Sequence, residues 1–155
     1  MMKTMRVLFA ITLLATSAMA TTDPFLGKWD LDVHRSKYPA GTCPKQMVIE
    51  MEAAGQGIRY RSETTYANGR SAQAQYTADY SGRQAIVIGA HGLLLPVSLK
   101  RTDSHTVVAS YSRGFQVVAT SRRVVSRNGR LMTITTTSED RSGKKFIAVG
   151  VYQKR

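Results

Sequence analysis

Arg122 and Arg123 stand side by side in a run, residues 115–125, otherwise built of apolar and small polar side chains. Neighbouring side chains of a β-strand point to opposite faces. An unbroken strand through this run therefore turns one guanidinium toward the interior and the other toward water. A buried guanidinium needs an anionic or hydrogen-bonding partner, and the chemistry it offers is bidentate recognition of an anionic headgroup. The alternative is a strand end or bulge that leaves both arginines in water. Tyr60, Tyr66, Tyr76 and Tyr152 are the other candidates for the lining of such a site, since tyrosine sets a polar tip on an apolar body.

Nothing in the chain points to bond-making chemistry. His34, His91 and His105 are scattered, without the spacing of a metal site. Asp103-Ser104-His105 contains the residue types of a hydrolytic triad, but consecutive residues cannot converge as triad members must. No Gly-x-Ser-x-Gly elbow or phosphate-cradling glycine loop occurs. The expectation is a protein that is not an enzyme, with no catalytic residues, no metal and no cofactor. Cys43 is the single cysteine, which excludes an internal disulfide and leaves its role open.

The elements that must position these residues are strands. Side chains alternate over several segments. Phe25, Gly27, Trp29, Leu31 and Val33 share one face of a first strand. Met47, Ile49 and Met51 oppose Glu50 and Glu52. Ile58, Tyr60, Ser62, Thr64 and Tyr66 oppose Arg59, Arg61 and Glu63. Ala72, Ala74, Tyr76, Ala78 and Tyr80 oppose Gln73, Gln75 and Asp79. Further strands are expected over residues 85–88, 93–101, 106–112, 115–125, 131–138 and 144–154. Asn68-Gly69 and Asn128-Gly129 mark hairpins, with type I′ turns the expected geometry. The longest connection, residues 34–44, follows the first strand and would lie across one mouth of a closed sheet. About ten strands without a helix predict an all-β, antiparallel up-and-down β-barrel, since a long sheet curls to remove its edges. Small and hydroxyl-bearing residues on the inward faces suit a ligand cavity better than a filled core.

Residues 1–20 read as a signal peptide. Lys3 and Arg6 precede an apolar run too short to span a bilayer, and Ala18-Met19-Ala20 is a small-x-small cleavage signature. The mature domain would be residues 21–155, with no transmembrane segment, exported to the periplasm or secreted. Without Lys3 and Arg6 the chain keeps 20 basic against 10 acidic residues, a net charge near +10. That field attracts anions such as an anionic envelope component. Export and the lack of a recognition motif argue against nucleic acid.

Phe25-Leu26-Gly27-Lys28-Trp29 resembles the first-strand Gly-x-Trp motif of the lipocalin and fatty-acid-binding-protein superfamily, the calycins. The segment from Asn128-Gly129-Arg130-Leu131 to Val151-Tyr152-Gln153-Lys154 is similar to the last hairpin of fatty-acid-binding proteins. The resemblance implies an eight- to ten-stranded barrel around a ligand cavity. Phe25, Gly27 and Trp29 would be its structural motif, and the chain a bacterial lipocalin-like exported protein. It also implies a basic residue, Lys154 or Arg155, packed over Trp29. Two features depart from the fatty-acid-binding pattern. Residues 34–44 are too few for a helix-turn-helix portal, and Gly150-Val151-Tyr152 stands where an Arg-x-Tyr carboxylate clamp would be. The function expected is binding of a small hydrophobic or amphipathic, possibly anionic, ligand in the lumen. The alternative is a basic interaction or inhibitor module that binds an anionic macromolecule through its exterior.

Overall fold

Alternation over short segments gives each strand an apolar face to bury, and the chain buries these faces inside a single curled sheet. The structure, a computed structural model, describes residues 22–91 and 94–155; the segment read as a signal peptide lies outside them. The described strands are β1 (Gly27–Leu31), β2 (Pro44–Ala54), β3 (Gly57–Tyr66), β4 (Ser71–Asp79), β5 (Ser81–Ala85), β6 (Ile88–Ala90), β7 (Val97–Asp103), β8 (Thr106–Arg113), β9 (Gln116–Val125), β10 (Leu131–Glu139) and β11 (Lys145–Lys154). A 3-10 turn at Val33–Arg35 follows β1. Among the described residues no helix is long and apolar enough to cross a membrane.

All pairings are antiparallel, in the order β5-β7-β8-β9-β10-β11-β1-β2-β3-β4-β6. First and last strands meet, with Trp29 opposite Lys154. The two ends of the sheet, β5 and β6, both come from the chain just after β4. Tyr80 carries β4 into β5, which pairs with β7, and β6 returns to pair with β4. The chain itself spans the seam, β5 and β6 do not pair with each other, and the sheet is a curled antiparallel half-barrel of calycin-like form.

The eleven strands are one more than the ten the alternation marked. Residues 81–90 form two short strands instead of one, because they serve opposite sides of the seam. Phe25 and Val33 lie outside β1, the first in a turn and the second in the 3-10 turn. The Asn-Gly pairs also turn differently from expectation. Gly69 and Gly129 have positive φ angles of 79° and 70°, but Asn68 and Asn128 do not. The amides of Gly69 and Gly129 donate to the carbonyls of Tyr66 and Ser126, and the Asn side chains accept from Arg70 and Arg130. Each is a longer loop in which a left-handed glycine follows a type I turn. The asparagine contributes its side chain, not a left-handed backbone.

One end of the interior is solid. Phe25, Trp29, Ile49, Met51, Ile58, Leu99, Val107, Val125 and Met132 are buried there. The Trp29 indole donates to the Phe25 carbonyl at 2.9 Å, and the Lys154 ammonium lies 4.9 Å from the Trp29 ring centroid. Gly27 is required for that approach: its φ is +124°, and a Cβ there would come within 2.9 Å of the Lys154 side chain. Arg155 takes no part and pairs with Asp30 instead. Asp23 completes the seal by accepting from Tyr80 at 2.8 Å and from Arg101 on β7.

Candidate functional site

The other half of the interior is lined by tyrosines around one arginine. β9 pairs with β10 so that Arg123 lies opposite Ile134, on the inner face, while Arg122 is exposed. Arg122 is therefore not a lumenal residue, and the strand runs unbroken through both. Arg123 is 2% exposed. Its Nη2 donates to the Tyr111 hydroxyl at 3.3 Å, and the guanidinium carbon lies 4.9 Å from the Tyr60 ring centroid. Tyr60 and Tyr76 face each other across β3 and β4, their rings stacked at 4.7 Å.

Among the described residues no carboxylate pairs with this cation. Among the described residues Nε and Nη1 of Arg123 and the hydroxyl of Tyr76 are buried without a hydrogen-bond partner. Burial works against the guanidinium's charge, while Tyr76, Tyr111 and Tyr60 around it favour the charged form and hold its pKa above the ordinary value. Burial pushes Tyr60 up to about 12, and raises Tyr76 further, although the nearby guanidinium pulls both down. The site is thus a permanent positive charge inside a shell of neutral phenols. A cation over an aromatic face recovers about 2 kcal/mol when desolvated. The desolvation of a charged group costs several kcal/mol, so the shell offsets part of the cost.

Of the residues proposed from sequence, Tyr60 and Tyr76 touch this centre or lie against it. Tyr66 is half-buried at the rim of an adjoining cavity, and Tyr152 is buried on β11 with its hydroxyl 3.2 Å from Met47 Sδ. Tyr152 is not a hydrogen-bond partner of Arg123; burial raises its pKa, and so does Tyr38 beside it. Two tyrosines were missed. Tyr111 continues the inward alternation of Val107 and Ala109 along β8, a pattern present in the sequence. Tyr38 sits in an aperiodic connection and carries no such signal.

That connection is a strap. Lys37 exchanges two backbone hydrogen bonds with Val149 of β11, at 2.8 and 2.7 Å. Tyr38 then reaches over Gly150, where an added Cβ would meet the Tyr152 ring at 2.8 Å and the Tyr38 hydroxyl at 2.9 Å. Gly150 makes room for this tyrosine. Cys43, a free thiol, lies half-buried farther along the strap.

The open space beside the centre measures about 130 Å³. Tyr60, Tyr76, Tyr111, Ser62 and Thr64 line it, with Ala72 and Ala74 on β4. Arg123 itself is screened from it by tyrosines that touch both.

No protein-family model and no curated protein sequence matches the chain. Among solved structures it is similar to a zebrafish ileal bile acid-binding protein complexed with cholic acid. The TM-score is 0.51 at 13% identity, over 85% of this chain and 99% of that one. At that identity the likeness shows the fold alone, and the fold is calycin-like.

Proposed function

We propose that this protein is an exported, non-enzymatic binder of a small amphipathic anion in its barrel lumen. Arg123 carries the reading: a buried guanidinium with unsatisfied donors, no carboxylate, and a cavity one tyrosine away. Removing water from a charge without supplying an opposite one is costly, and an anionic ligand supplies it. The bile acid-binding protein of similar fold is consistent with a lumenal ligand. Localisation to the periplasm or outside the cell rests on the leader-like residues 1–20.

The test is titration of the mature protein and its Arg123→Met variant with carboxylates of graded size, followed by isothermal calorimetry. Wild type is expected to bind at least one of them, and the variant to bind it about tenfold or more weakly, as loss of a charged hydrogen bond demands. Equal affinities would remove Arg123 as the anchor.

The small lumen and one basic end favour a second reading, the exterior interaction module. Phe115 is fully exposed in the β8–β9 turn beside Arg113, at the end that also presents Arg141, Lys144 and Lys145. Salt-sensitive retention on an anionic polysaccharide, lost on Arg113→Glu and unchanged by Arg123→Met, would favour it.

A further inference from the structure

We infer that the lumen selects a carboxylate carried on a single planar ring, and excludes long acyl chains and steroid-sized acids. This rests on the lumenal-anion reading above and goes beyond it by naming the ligand class.

The first ground is size. The cavity of about 130 Å³ compares with a buried cavity of about 150 Å³ that binds benzene. Pockets for drug-sized ligands start at about 300 Å³. The second is that the neighbouring interior is filled. Tyr38 enters from the strap into space left free by Gly150, and Tyr152 packs against both. The bridge between Lys37 and Val149 fixes the strap there. These residues do not line the cavity; they occupy interior volume beside it that a longer ligand would need.

The third ground is shape. The nearly parallel Tyr60 and Tyr76 rings, 10° apart, stand against Ala72 and Ala74, so aromatic faces and small side chains line the same cavity. Flat rings gain most from such walls, because offset-stacked and edge-to-face contacts are available to them. The fourth is polarity. Tyr111 lines the cavity and accepts from Arg123, so an anion there sits one hydrogen bond from the guanidinium.

The experiment compares benzoate, cyclohexanecarboxylate, palmitate and cholate on wild type, Arg123→Met, Ala72→Leu and Tyr38→Ala, read by ligand-observed NMR and calorimetry. Benzoate is expected to bind wild type about tenfold more tightly than the non-planar ring, with no saturable binding of palmitate or cholate. Ala72→Leu, which fills the cavity, should abolish benzoate binding; thermal melting confirms that it folds. Tyr38→Ala, outside the cavity's lining, should leave benzoate binding unchanged. Tighter Arg123-dependent binding of palmitate or cholate to wild type would overturn the single-ring class and leave the anchor standing. Benzoate binding lost in Ala72→Leu but unaltered in Arg123→Met would support the class and overturn the anchor. No binding of any of the four would overturn both.

Discussion

Arg123 is the residue on which the functional reading turns, and its energetics separate two roles. If the guanidinium is a structural strut, its contacts to Tyr60 and Tyr111 outweigh its desolvation. Arg123→Met would then lower stability by about 2 kcal/mol or more, as loss of a desolvated cation–π contact would. If it awaits an anion, the ligand-free protein carries a buried charge with no anionic partner and with donors unsatisfied, only partly offset by the tyrosines, and the same substitution leaves stability unchanged or raises it by about 1 kcal/mol. Urea denaturation of ligand-free protein is expected to give the second result. From the sequence, one of the two adjacent arginines faces inward only if the strand runs unbroken through both; the structure shows that it does. Which one depends on the phase of β9 against β10, a long-range pairing.

At the scale of the element, the strap and β11 are fitted to each other through Gly150. A methyl group there must displace Tyr38 or Tyr152, whose atoms lie 2.8 to 3.1 Å from its ideal position. Gly150→Ala is expected to destabilise by about 1–3 kcal/mol, the usual cost of overpacking. Tyr38→Ala in the same chain should recover part of the loss. A double-mutant cycle by chemical denaturation measures the coupling, and strict additivity would show that the strap does not pack on β11 as described. Glycine at position 150 was plain in the sequence. What fills the space beside it was not, because residues 34–44 have no periodicity to assign Tyr38 a face.

Several of the molecule's tyrosines are buried, and its response to alkali should show it. Burial raises the pKa of Tyr60 to about 12, and also raises Tyr38, Tyr76, Tyr80 and Tyr152. In the unfolded chain each titrates near its ordinary value of 10.0. Between these limits the folded state binds more protons than the unfolded one, so stability falls as pH rises. The contribution is full below about pH 10 and is lost progressively through about pH 12. Denaturant midpoints across that window are expected to drop, with tyrosinate absorbance appearing together with unfolding. Tyrosinate formation well before unfolding would mean that the phenols are open to solvent.

Period-two alternation and the glycine turns determined, from the sequence by itself, that this is an all-β antiparallel meander beginning at the Phe25–Trp29 motif. Those are local properties: each strand's two faces are set by its own residues, and Gly27 or Gly129 by its own φ. The tertiary structure decided which arginine is inside, that Lys154 and not Arg155 covers Trp29, and how large the lumen is. Cavity volume is what remains after side chains from β3, β4, β8 and β11 and from an irregular strap have met. No single segment encodes that remainder.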